Sequence, residues 1–295
     1  MPLARTRDLL ASAVAERRGL PAFNVITLEH AEAIAAGAEA AGTPAVLQLS
    51  QNAIAYRGGR LLPIARACAE VAAAARVPLS LHLDHVEDPD LLRAAPGAGF
   101  SSAMFDASAL PHDGNVKATA EATAWAHRHG LHLEAELGRV GGKDGEPPLG
   151  AHAPGARTDP AEAARYVAET GVDALAVAVG SSHAMTTRTA ALDHALIRAL
   201  AAAVPVPLVL HGSSGVPDAA LAEAVAAGMV KVNIGTALNL ACTPAIRARL
   251  AADPAVTDPR RYLAAARDAM AATVEHLARV VSGAARPPAA TSGTR

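Results

Sequence analysis

Short apolar, β-prone runs alternate along the chain with longer Ala-rich stretches of helical character. The runs lie at 20–25 (LPAFNV), 45–50 (AVLQLS), 78–85 (PLSLHLDH), 100–106 (FSSAMFD), 131–137 (LHLEAEL), 172–179 (VDALAVAV), 206–211 (VPLVLH) and 230–234 (VKVNI). Each is bounded by Gly, Pro or polar residues, as strands are. The stretches between them predict helices over 28–41, 60–76, 113–129, 160–170, 191–203, 217–227 and 237–252, with a long one over 260–281. Eight strands alternating with helices predict an α/β chain folded as a (β/α)8 TIM barrel, one domain over residues 1–281. A doubly wound sheet fits less well, because no Gly-rich fingerprint follows the first run. Residues 282–295, rich in Pro, Ala, Gly and Thr, read as a flexible tail. One connection is long: about 20 residues separate Leu137 from the helix near Asp159, a length typical of lids and binding loops.

Nearly every run ends in a polar group. The ends are Asn24, Ser50, Asp84-His85, Asp106, Glu136, His183 (reached through Gly180), His211 and Asn233. In a (β/α)8 barrel the C-terminal strand ends converge on one mouth, where the chemistry sits. Helix caps account for a few of these residues, not for three histidines and three carboxylates. One such histidine alone is more often a hydrogen-bonded core or capping residue. Three from different strands, His85, His183 and His211, suit a divalent metal, best Zn²⁺, with a position left open for substrate. Asp84 stands next to His85 as a general acid or base, or as an outer carboxylate orienting a ligand. Glu136 is a further candidate ligand. Glu134, two residues earlier, shares its face of the strand, as Lys231 shares that of Asn233. Glu134 and Lys231 are expected to pair in a lower layer of the barrel. The loops Gly212-Ser213-Ser214-Gly215 and Gly235-Thr236 follow the seventh and eighth runs, where barrels commonly place phosphate sites on helix N-termini.

Composition narrows the classes further. Of 295 residues 51% are hydrophobic, yet only three Phe, three Tyr and one Trp occur, and the formal charge is −2. That balance argues against a nucleic-acid partner, which needs a basic face or stacking rings. The longest apolar stretch, 199–210, contains Pro205 and Pro207 and is too short for a membrane span. The N-terminus has no long apolar segment of a secretory signal. Cys68 and Cys242 make no disulfide framework. A cytoplasmic location is the expectation.

The motifs PAFNV (21–25), LHLDH (81–85), EAELGRVGG (134–142), AVAVGSSH (176–183), LVLHGSSG (208–215), KVNIGT (231–236) and DPRRYL (258–263) together resemble the class II, metal-dependent ketose-bisphosphate aldolases, the fructose- and tagatose-bisphosphate enzymes. The resemblance implies one catalytic zinc held by His85, His183 and His211, with Glu136 at an alternative metal position and Asp106 as an acidic group near the metal. It implies Asp84 as the residue that exchanges a proton with the substrate's C4 hydroxyl. It assigns Asn24, Ser50, Gly180, Gly212, Ser213, Ser214, Asn233, Gly235 and Thr236 to binding of a small sugar phosphate, with a monovalent cation among the possible guests of these loops. It implies a homodimer or homotetramer in which Arg260 reaches the distal phosphate of a neighbouring subunit.

The chain departs from that pattern in three places. The lid reads Gly141-Gly142-Lys143-Asp144 where the family carries Glu, so Asp144 or Glu146 is expected to protonate the carbon left after cleavage. A phosphate-binding Lys is replaced by Thr187, with Arg188 next to it. Gly235 stands where fructose-specific members tend to have Asp and tagatose-type members a small residue.

Overall fold

The computed structural model describes residues 3–138 and 157–284. Asp144 and Glu146, and the tail from residue 285, lie outside the described residues. Eight parallel strands close into a barrel in sequence order. They are β1 (Leu20–Asn24), β2 (Ala45–Ser50), β3 (Leu79–Val86), β4 (Ser102–Phe105), β5 (His132–Leu137), β6 (Ala174–Val177), β7 (Leu208–Leu210) and β8 (Met229–Ile234). The barrel closes where Pro21 of β1 registers with Val232 of β8. The expected (β/α)8 fold is therefore the one observed.

The helices are α1 (Thr6–Ala15), α2 (Leu28–Ala41), α3 (Gln51–Tyr56), α4 (Leu61–Ala74), α5 (Pro89–Ala98), α6 (His112–Arg128), α7 (Pro160–Thr170), α8 (His194–Ala203), α9 (Asp218–Ala227), α10 (Thr236–Ala252) and α11 (Pro259–Ser282). Three of them, α1, α3 and α5, go beyond the elements expected from the sequence pattern. Helix α5 was hidden by its prolines. Pro89 fills the first turn, where a missing N–H costs nothing, and Asp88 caps it by accepting from the Asp90 N–H at 2.8 Å. Pro96 sits inside the same helix, where the pattern reads as a breaker. Among the described residues, no helix is long and apolar enough to cross a membrane.

The main apolar core lies between the strands and the surrounding helices and is built of Ala, Val, Leu and Ile with few rings. The lumen is different. Small apolar groups, as in the Ala174, Ala176 and Val209 cluster, share it with buried polar side chains. Helix α1 closes the floor: Leu9, Leu10 and Ala13 pack on Leu20, Ala22 and Val46. Thr6 enters the floor and lies 3.1 Å from the Ser80 hydroxyl.

One buried polar cluster lies outside the lumen. The Tyr166 hydroxyl on α7 donates to Asn115 Oδ1 on α6 at 2.7 Å, 3.0 Å from Thr119 Oγ1. Burial pushes this phenol up to about 12. Tyr166→Phe is expected to lower the unfolding free energy by about 1–2 kcal/mol, because the buried Asn115 oxygen loses a donor. Urea unfolding measures it, and an unchanged midpoint and slope would contradict the assignment.

Candidate metal and sugar-phosphate site

Strand β3 sets the geometry of the mouth. Neighbouring residues of a regular strand point to opposite faces, yet Asp84 and His85 both line the same cavity. The pairing of β3 with β4 slips between Leu83 and Val86, and His85 takes a left-handed φ of 48°. A non-glycine residue there is uncommon and marks a position the fold constrains for a purpose. The slip turns the His85 ring into the mouth beside Asp84.

Two other histidines meet it. The candidate ligand nitrogens of His85, His183 and His211 all lie within 4.8 Å of one another, with ring centroids 4.8–5.7 Å apart. His183 and His211 are brought together by a close approach at Gly212. Its φ is 65°, and a Cβ there would lie 2.5 Å from the Ser182 carbonyl carbon, so a larger residue would push the two loops apart.

Two of the three imidazoles are engaged by a carboxylate. His85 Nδ1 lies 3.0 Å from Asp106 Oδ2, and Asp106 is itself fixed by the Ser108 N–H and hydroxyl. His211 Nε2 lies 3.0 Å from Glu134 Oε1. This is the carboxylate–imidazole arrangement that fixes the tautomer and aim of metal ligands. His211 Nδ1, fully buried, makes no hydrogen bond. It faces Glu136 Oε2 at 2.9 Å. Burial opposes protonation of His211, but Glu134 and Glu136 outweigh it and raise the ring to about 9. A basic imidazole with a carboxylate on either side has the donor chemistry of a divalent-cation site, so these residues fit a zinc ion.

The expected Glu134–Lys231 pair is present at 2.7 Å, with both side chains buried. Strands β5 and β8 are not neighbours in the barrel, so the contact crosses the lumen. Against the opposing effect of burial, the Lys231 ammonium, with His211 and His82, holds the Glu134 carboxyl well below its usual range.

Asp84 is held by three amides. It accepts from Asn24 Nδ2 at 3.0 Å, Gln48 Nε2 at 3.4 Å and Asn233 Nδ2 at 3.5 Å. Burial alone would raise its carboxyl; His85, Lys231 and His211 reverse that and hold it at about 2. Asp84 is thus ionised at neutral pH, a proton acceptor with a fixed orientation. Gln48 had not been singled out from the sequence. The signal was there: it lies two residues before Ser50 on β2 and so shares its face.

The cavity above these groups has a volume of about 390 Å³. Asn24, Ser50, Asp84, His85, Asp106, His183, Gly212, Ser213, Ser214, Asn233, Gly235 and Thr236 all line it. Its β7–β8 side is made of two short loops and a helix N-terminus. Helix α10 begins at Thr236 with no cap from its own N-terminal residue, Gly235, and both residues border the cavity. Ser214 Oγ accepts from the Ala237 N–H, and the Ser213 hydroxyl donates to the Asn233 carbonyl, joining the two loops. A Cβ at Gly235 would sit 3.0 Å from Asn24 Oδ1, so a side chain there would press on an Asp84 partner. Gly180 and Glu136 lie outside the cavity wall. Arg188 turns to the Val216 carbonyl and Asp218. Arg260, at the start of α11, is exposed and pairs with Asp258.

The sequence profile described as fructose-bisphosphate aldolase class-II matches residues 4–286. The chain belongs to that family. It is an aldolase, a carbon–carbon lyase. Solved structures agree in shape. The YdjI aldolase of Escherichia coli K12 superposes with a TM-score of 0.81 at 28% identity, covering 96% of this chain and 98% of that one. A Coccidioides immitis protein described as a candidate fructose-1,6-bisphosphate aldolase gives 0.81 at 31% identity, covering 94% and 96%. The fructose-bisphosphate aldolase of Campylobacter jejuni shares the fold, with 0.79 at 21% identity over 95% of each chain.

Zinc-loaded aldolase is expected to retain about one Zn²⁺ per chain after gel filtration, by elemental analysis. His183→Ala should retain far less with an unchanged circular dichroism spectrum. Equal retention would remove His183 from the site.

Proposed function

We propose that this aldolase reversibly cleaves a ketose phosphate to dihydroxyacetone phosphate and an aldehyde, acting with zinc on a substrate like tagatose or fructose 1,6-bisphosphate. The observation that carries the reading is the ionised, triply held Asp84 beside three convergent imidazoles. Zinc bound by His85, His183 and His211 would supply Lewis-acid polarisation of the substrate ketone.

The residues of the chain then divide the remaining work. The Gly212–Ser214 loop, Gly235, Thr236 and the N-terminus of α10 bind the phosphate of the dihydroxyacetone half. Asn24, Gln48 and Asn233 keep Asp84 in one rotamer. Asp84 accepts the C4 hydroxyl proton as the C3–C4 bond breaks, and its electron pair remains on the C3 side. A lid carboxylate, Asp144 or Glu146, returns a proton to C3. Ser50, on the cavity wall, contacts the substrate, and Arg260 of an adjoining subunit supplies a cation for the distal phosphate in a homodimer or homotetramer. Gly180 and the β7 loop leave a place for a monovalent cation. Glu136 offers the metal a second resting position, and Asp106 holds His85. The enzyme works in the cytoplasm on a small sugar phosphate, with no nucleic-acid or membrane partner.

Thr187 in the place of a phosphate-binding Lys, together with Gly235, favours one variation: a sugar phosphate other than these two bisphosphates as the preferred substrate.

A cleavage panel of fructose and tagatose 1,6-bisphosphates and the corresponding 1-phosphates, with and without chelator, tests the proposal. Cleavage is expected to vanish on chelation and return with Zn²⁺, and Asp84→Ala should lose about 10²–10⁴-fold in turnover. Full cleavage after exhaustive metal removal would overturn the metal role. Unchanged turnover in Asp84→Ala would overturn the proton role.

A further inference from the structure

The lumen holds a column of polar groups that the proposed chemistry does not use. Glu134 stands at its top, with Oε1 on His211 Nε2 and Oε2 on Lys231 Nζ at 2.7 Å. Below, Lys231 Nζ lies 3.4 Å from His82 Nε2. His82 Nδ1 lies 2.8 Å from Ser102 Oγ. The Ser102 hydroxyl donates to Thr6 Oγ1 at 2.8 Å, and the Thr6 hydroxyl donates to Ser80 Oγ at 3.1 Å. Every one of these residues is buried. The column runs from the mouth through the lumen to the helix that closes the floor.

Donor and acceptor counting fixes its direction. An ammonium has donors and no acceptor, so the His82 nitrogen facing Lys231 accepts. The proton of His82 is then on Nδ1, which donates to Ser102. From Lys231 downward each group donates toward the floor, and from Lys231 upward the one donation is to Glu134. Lys231 is therefore the source of both halves.

We infer that Lys231 is a positioning residue that, clamped from below by the Nδ1–H tautomer of His82, locks the Glu134 carboxylate so that His211 holds Nε2 on Glu134 and keeps Nδ1 as its ligand atom. The carboxylate has two oxygens and two fixed donors, which leaves it one orientation. Remove Lys231, and His82 Nε2, only 3.9 Å from Glu134 Oε2, can take the proton and draw the carboxylate away from His211. The inference rests on the metal reading of the three histidines but adds residues that touch neither metal nor substrate.

Two measurements decide it. Long-range ¹⁵N–¹H NMR of the intact Zn²⁺-loaded protein should find His82 protonated on Nδ1 and bare on Nε2; the opposite tautomer overturns the clamp. Lys231→Met should weaken Zn²⁺ binding by about 10–100-fold in a chelator competition, and should alter the absorption spectrum of the Co²⁺-substituted protein. Tyr166→Phe, destabilised at a distance from the column, should leave affinity and spectrum unchanged. Wild-type affinity and spectrum in Lys231→Met would reduce Lys231 to a structural cation and overturn the inference. If Lys231→Met fails to fold, the His82 tautomer in the unmodified protein decides alone. If the unmodified protein takes up no Zn²⁺, the metal reading fails by itself, and the same tautomer still judges the clamp.

Discussion

A lysine and a glutamate, both out of reach of water, meet across the barrel lumen. Burying either charge alone would cost several kcal/mol, and breaking such a pair costs about 3–5 kcal/mol. The attraction repays burial only with good geometry and with the remaining donors and acceptors satisfied. That requirement organises the lumen. Glu134 has a second partner in His211, Lys231 has one in His82, and the hydroxyls of Ser102, Thr6 and Ser80 carry the hydrogen bonds to the floor. Most barrels of this kind fill the interior with branched aliphatics. Here the interior carries charge, and the walls around it carry the apolar packing.

The same economy explains the mouth. Asp84 is as buried as Glu134 yet has no lysine in contact. Three side-chain amides from β1, β2 and β8 surround it, and the positive field of the lumen keeps it ionised. An amide cage leaves the carboxylate unprotonated and oriented while its charge is not consumed by a salt bridge. A proton acceptor for a substrate hydroxyl needs both properties.

Much of this was legible in the sequence. Short apolar runs bounded by Gly, Pro or polar residues gave all eight strands within a few residues, since strands buried on both faces read as near-continuous apolar runs. Polar residues at the run ends gave the cavity wall from Asn24 to Thr236. The Glu134–Lys231 pair followed from the two-residue spacing to Glu136 and Asn233. What escaped depends on features the pattern does not carry. The slip that aims both Asp84 and His85 at one cavity is a pairing property of β3 with β4. Gln48 and His82 obey the alternation rule but sit among leucines, where a lone polar residue draws no notice. Helix α5 broke the usual expectation for Pro96. Helix α1 precedes the first strand, outside the repeating unit, although its Thr6 belongs to the column in the lumen.

The proposed function assigns separate tasks to separate groups: Asp84 to the C4 hydroxyl, the histidine site to the acidity of the neighbouring carbon. Dihydroxyacetone phosphate alone, without an aldehyde, isolates the second task. Its C3 proton exchange in D₂O, followed by ¹H NMR, is the most direct measure. The account predicts that one C3 proton exchanges in the Zn²⁺-loaded protein, that Asp84→Ala preserves the exchange, and that chelation stops it. Exchange that persists without metal, or no exchange in the loaded protein, would contradict it.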